Sequence, residues 1–185
     1  MSHHPLHTFV GFPPAAQRRF PKAYLRVLTG TTCNQHCGVC PFPHEDERTH
    51  RPAAEIREVV REAARRRARG VLFGGGEPTV HPRIESLVAD ARQRGLGVGL
   101  LTNGVRLGTD DEFRARVVAA GVGRVHIHIY GASEDLHREF AGGDADLEAS
   151  LSAAELLVRA DVEVVVVVPL FRQNLSTLGQ LMDRL

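Results

Sequence analysis

The sequence predicts an α/β fold: a parallel sheet of about five successive βα units, shaped as an open or partial barrel. Three observations carry this. Short apolar segments of strand character alternate with amphipathic helical segments along most of the chain, and such alternation implies parallel strands joined by right-handed crossovers. The strand segments are near-continuously apolar, most strongly Asp161 to Pro169, as expected of strands covered on both faces. Five units are too few to close an eight-stranded barrel.

Each element has a local reason. Residues 1–22 contain Pro5, Pro13, Pro14 and Pro21, which disfavour regular structure. They predict an irregular leader ahead of a core domain over residues 23–185. Tyr24 to Thr29 alternates as a strand, and a cysteine-bearing loop follows it directly. Pro41 to His50 is polar and Pro-punctuated, hence a long loop. Pro52 to Arg69 carries apolar residues at helical spacing and is stopped by Gly70. Gly70 to Gly74 is the second strand, His81 to Arg94 the next helix, and Val98 to Gly104 the third strand with its turn. A capping box of Thr109 with Glu112 opens a helix to Ala120. Val125 to Tyr130 alternates strictly as the fourth strand, Leu147 to Ala160 is helical, and Asp161 to Pro169 is the fifth strand. Asn174 caps a last helix that runs to Leu185.

Composition narrows the function classes. A chain of 185 residues with 43% apolar content can bury one core. The formal charge of +1 gives no reason to expect a nucleic-acid or anionic-membrane partner. No apolar run reaches the ~18 residues expected of a transmembrane helix, and the N-terminus lacks a signal-peptide pattern. Three clustered cysteines are an odd number for a disulfide framework. These features point to the reducing environment of the cytoplasm.

The cysteines form one motif, Cys33-x-x-x-Cys37-x-x-Cys40, on the loop after the first strand. Three thiolates leave one corner of a four-cornered site unfilled. Their spacing suits three corners of a [4Fe–4S] cube. A zinc ion held by Cys33, Cys37, Cys40 and His44 fits the same residues, and three buried thiols are the plain alternative. The second motif is Gly75-Gly76-Glu77-Pro78, at the end of the second strand. Its glycines admit a ligand close to the backbone, and its carboxyl and carbonyls can accept from an ammonium group. A plain βα turn is the alternative. His126, His128 and Tyr130 alternate onto one face of the fourth strand, giving three polar tips that point inward.

Together, the cysteine motif and Gly75-Gly-Glu-Pro-Thr-Val-His-Pro82 resemble the radical S-adenosylmethionine (radical SAM) superfamily. The resemblance covers residues 23 to 175, including strand order and Leu101-Thr-Asn-Gly104. It implies a [4Fe–4S] cluster ligated by Cys33, Cys37 and Cys40, with S-adenosylmethionine chelating the fourth iron. Reductive cleavage of that cofactor gives a 5′-deoxyadenosyl radical that abstracts hydrogen from a substrate. The resemblance further implies that Gly75, Gly76, Glu77 and Pro78 receive the methionine amino group and that Thr102 and Asn103 lie near the cofactor. It puts His128 where relatives carry a polar residue touching the cofactor; a core histidine with a satisfied partner is the alternative. A reductant protein such as a ferredoxin or flavodoxin is the implied electron source.

Three departures from the family pattern stand out. Val39 replaces the usual aromatic residue before the last cysteine. Ala141, ahead of Gly142, stands where relatives often carry an arginine, and Arg138 is the candidate substitute. The sixth βα unit is missing, which leaves Val164 to Val168 on an open edge that a partner chain, a second copy or the leader would cover. A truncated relative that binds a cluster without catalysis, or a zinc module, are the competing functions.

Overall fold

The computed structural model describes residues 23–42 and 48–185. The proposed leader and His44 lie outside these residues. The five expected strands are present as β1 (Tyr24–Leu28), β2 (Gly70–Gly74), β3 (Gly97–Thr102), β4 (Arg124–His128) and β5 (Glu163–Val167). They form one parallel sheet in the order β1-β2-β3-β4-β5. Each strand therefore pairs with its sequence neighbour, as successive right-handed βα units require.

The helices are α1 (Ala53–Arg65), α2 (Ile84–Gln93), α3 (Val105–Thr109), α4 (Asp111–Ala119), α5 (Glu134–Ala141), α6 (Leu147–Arg159) and α7 (Leu178–Met182). The capping box at Thr109 is corrected by the structure. Thr109 ends α3 and donates its hydroxyl to Val105 O at 2.9 Å. The cap of α4 is Asp110, whose carboxylate accepts from Phe113 N at 2.9 Å, because a carboxylate one residue later can reach the free amide of the first turn. Asn174 does not cap a long terminal helix either. Its amide donates to Pro169 O at 2.8 Å and Tyr130 O at 2.9 Å and accepts from Phe171 N, tying the ends of β4 and β5 together. The last helix is a single turn, α7, after a 3₁₀ turn at Leu175–Thr177.

α5 has no counterpart in the periodicity reading. Its N-cap is Ser133, which accepts from Leu136 N, with Glu134 and Asp135 in the first turn, an arrangement that the macrodipole favours. Ser-Glu-Asp ahead of Leu136 and the stop at Gly142 were the available signals.

The sheet is not equally buried on its two faces. Val27, Val71, Phe73, Val98, Leu100, Val125 and Ile127 point to the helix side and are at most 2% exposed. There they meet Ile56 and Val60 of α1, Leu87 and Val88 of α2, Phe113 of α4 and Leu157 of α6 in one core. The opposite face is concave and half-open, carrying Tyr24, Arg26, Leu72, Leu101, Arg124, His126 and His128. Near-continuous apolar strands thus reflect burial of one face and half-burial of the other. Among the described residues β5 pairs only with β4, so it lies at the sheet edge as expected. Beside it, between α6 and β5, runs an open concavity of about 830 Å³ lined by Leu151, Val158, Val164 and Val166. It holds no cysteine and none of the motif residues. No described helix is long and apolar enough to cross a membrane.

Candidate functional site

The chemistry-bearing loops all emerge at the C-terminal ends of the strands, where open parallel sheets bind ligands. The loop after β1 and the turn after β2 are stitched together by backbone hydrogen bonds. Thr29 N donates to Gly74 O at 2.8 Å, Gly76 N to Gly30 O at 2.9 Å and Glu77 N to Thr32 O at 2.8 Å. This contact requires glycine. A Cβ on Gly75 would meet Gly30 O at 2.4 Å, and one on Gly76 would meet Thr32 O at 2.2 Å. The glycines therefore serve first to bring the cysteine loop against the turn.

The cysteine loop is held from two further directions. Arg48 donates from Nη1 to Cys33 O at 2.7 Å. Gly38 N donates to Phe140 O at 3.0 Å, so the loop supplies a partner to a carbonyl in the last turn of α5, where helical carbonyls lack one. The three cysteines are free and half-buried. Backbone amides already point at two of the sulfurs: Gln35 N lies 3.4 Å from Cys33 Sγ and Phe42 N 3.4 Å from Cys40 Sγ. Burial pushes the Cys33 thiol up to about 11 and the Cys37 thiol above its ordinary value. Among the described residues, no three His, Cys, Asp or Glu side chains are gathered to hold a single metal ion.

Glu77 is the electrostatic hub of the turn. Its carboxylate is 2% exposed. Oε1 accepts from Thr79 N, Thr79 Oγ1 and Thr102 Oγ1 at 2.9, 2.6 and 2.7 Å, and Oε2 accepts from Asn103 N at 2.8 Å. Burial pushes this carboxyl above the usual carboxylate range, while the Thr79, Asn103 and Thr102 donors oppose that shift. Glu77 thus braces the end of β3 against the turn after β2. Asn103 continues the brace, donating from Nδ2 to Asn34 Oδ1 at 2.8 Å on the cysteine loop. Oε2 keeps capacity for a further donor.

These groups line one cavity of about 270 Å³. Cys33, Cys37 and Cys40 share it with Gly75, Gly76 and Glu77, and Thr102, Asn103, His128 and Tyr130 complete its wall. Pro78 is buried behind the turn and does not reach it. Nor does His126, which lies on the same sheet face, with an Nε2 that has no partner. Arg138 also falls outside. It donates to Ala145 O at 3.1 Å and pairs with Glu134 at 2.9 Å within its own helix.

Residues that the motifs did not point to also matter. Gln35 is 3% exposed and lines the cavity. Its Oε1 lies 3.7 Å from Cys37 Sγ while its Nε2 is buried without a partner. Tyr130 lines the cavity opposite Cys37, and burial first, then the Cys37 thiol, push its phenol up. His137 of α5, 1% exposed, accepts from Tyr130 N at 3.2 Å. Behind the loop, Phe140 stacks on Phe171 at 4.3 Å.

Comparison with known proteins agrees with this architecture. The sequence profile of the Radical SAM superfamily matches residues 27–185. A probable GTP 3′,8-cyclase of Thermococcus kodakarensis is 31% identical over 75% of this chain and 45% of that protein. A PqqA peptide cyclase of Rhodopseudomonas palustris is 32% identical over 88% of this chain and 43% of that protein. The chain therefore spans less than half the length of these relatives. The structure of Streptococcus suis SuiB bound to S-adenosylmethionine superposes with a TM-score of 0.72 at 16% identity, over 92% of this chain and 40% of that one. The family uses a [4Fe–4S] cluster and S-adenosylmethionine. The profile match spans nearly the whole described sheet, and the chain belongs to the radical SAM superfamily.

Proposed function

We propose that the cavity between the cysteine loop and the Gly75–Pro78 turn holds a [4Fe–4S] cluster on Cys33, Cys37 and Cys40, with S-adenosylmethionine beside it. The observation that supports this best is the sharing of one cavity by all three thiols and the glycine turn. Two features of the cysteine loop suit a sulfur-rich anion. Amides already address two cysteine sulfurs, and rotation of the Gln35 amide would turn its unpartnered Nε2 onto Cys37 Sγ. When bound, the cluster supplies the electron that cleaves S-adenosylmethionine to a 5′-deoxyadenosyl radical, which abstracts a substrate hydrogen.

The protein's own residues bind and orient. The turn at Gly75 and Gly76 offers an ammonium group backbone carbonyls that accept from no donor among the described residues, and Glu77 Oε2 adds an acceptor. Thr102, Asn103 and His128 flank the cofactor, and Glu77 holds Asn103 in place. The electron comes from a reductant protein such as a ferredoxin or flavodoxin, in the cytoplasm.

The test is anaerobic reconstitution with iron and sulfide, followed by dithionite and S-adenosylmethionine. Formation of 5′-deoxyadenosine supports the reading. Cluster uptake without this product would leave a binding relative, and a single zinc that is lost in His44→Ala would replace the reading altogether.

A further inference from the structure

The concave face carries a guanidinium, Arg26, that no described residue pairs. Arg26 and Arg124 occupy one row of the sheet, connected in register through Leu72 and Gly99. Arg124 is held by Glu163 in two hydrogen bonds, at 2.8 and 2.7 Å. Arg26 has neither an ion pair nor a hydrogen bond among the described residues. Its side chain instead climbs toward the C-terminal ends of the strands, with Nε 3.5 Å from the place a Cβ would take on Gly74. That glycine opens a path across β2 into the cavity, which Arg26 lines together with His128.

The Arg26 guanidinium acts on His128, which His126 flanks, whereas His126 itself lies by Arg124 and Glu163. The one carboxylate among the described residues lining the cavity, Glu77, is already taken up by Thr79, Thr102 and Asn103. Burial first, then Arg26 and His126, hold His128 below its ordinary range. An anion would reverse the sign: it would accept from the planar guanidinium fork and favour a protonated, donating imidazole. A guanidinium fork and an imidazole converging on one cavity are the kind of polar groups that fix a ligand's orientation.

We propose that Arg26, with His128 beside it, anchors an anionic group of the substrate, a carboxylate or a phosphate, on the sheet floor of the cavity. This rests on reading the cavity as the cluster and S-adenosylmethionine site. Arg26 then orients the substrate beneath the reactive centre.

The experiment is isothermal titration of the cluster-loaded chain, saturated with S-adenosylmethionine, using inorganic phosphate and acetate at constant ionic strength. The wild type is expected to bind one of the two, which identifies the class. Arg26→Gln should weaken that binding by about tenfold or more, with Arg26→Lys intermediate, while affinity for S-adenosylmethionine stays unchanged. Binding of neither anion, or equal binding by Arg26→Gln, overturns the proposal. A matching loss of S-adenosylmethionine affinity also overturns it, by assigning Arg26 to the cofactor. A wild-type chain that takes up no cluster fails the underlying reading instead, so the two failures are distinguishable.

Discussion

Replacing Glu77 by Gln tests whether the turn after β2 is held by its carboxylate. Two effects oppose each other. Removing a buried charge relieves the desolvation that raises the Glu77 pKa. Against this, Gln keeps one oxygen for Thr79 N, Thr79 Oγ1 and Thr102 Oγ1, and puts an NH₂ group opposite Asn103 N. One hydrogen bond is lost and two donors face each other in a site that is 2% exposed, at a cost of about 1–3 kcal/mol. The three remaining bonds lose their charge assistance. The donors outnumber the relief, and the net expectation is a loss of about 2 kcal/mol, or about 4–8 °C in Tm for a chain of this size. Because Asn103 also holds Asn34, the cysteine loop should loosen, and S-adenosylmethionine affinity should fall together with Tm. Thermal unfolding of the reconstituted chain reads the first effect and calorimetry the second. A Glu77→Gln variant as stable as the wild type would show that the desolvation cost outweighs the four donors and would refute the bracing role.

Three further outcomes follow from the same geometry. Gly76→Ala places a Cβ 2.2 Å from Thr32 O and 2.6 Å from Thr31 O, both backbone atoms; the loop must move, and iron retention after desalting should collapse. Burial lowers the pKa values of His81, His126, His128 and His137. Below about pH 6.5 the unfolded chain therefore binds more protons than the folded one. The stabilisation is present above that pH and lost as pH falls through the lowered values, so urea midpoints should drop from pH 7 to pH 5. A flat profile would contradict this. Gln35→Leu removes the donor available to Cys37, and a cluster sulfur that loses a hydrogen bond is harder to reduce. Its midpoint potential in a redox titration should move downward, and an unchanged potential would remove Gln35 from the site.

Much of the fold and the two ends of the site were legible in sequence because they depend on local pattern. Strand alternation and glycine stops located all five strands. The cysteine spacing and the Gly-Gly-Glu-Pro turn located the cavity. The rest depends on tertiary contact. Glu77 reads as a ligand-facing carboxyl, yet its hydrogen bonds go to Thr79, Thr102 and Asn103, two of which lie one βα unit away. α5 is short, and its role is to give the cysteine loop a carbonyl at Phe140, a contact between residues about a hundred positions apart. Asn174 looked like a cap because its residue type suits one; the strand ends at Tyr130 and Pro169 use it instead. Arg26 carried a signal, a lone charge inside an apolar strand, but its meaning required knowing that Gly74 leaves it room and that Glu163 goes to Arg124.

The central claim is that Cys33, Cys37 and Cys40 hold a cluster that S-adenosylmethionine reaches across the Gly75–Pro78 turn. The most direct measurement is iron and sulfide content after anaerobic reconstitution, with the reduced cluster's paramagnetic resonance spectrum recorded before and after adding S-adenosylmethionine. About four irons and four sulfides per chain are expected, with a spectrum that S-adenosylmethionine changes, and loss of both in Cys37→Ala. A colourless chain holding one zinc, or a cluster whose spectrum S-adenosylmethionine leaves unaltered, would contradict it.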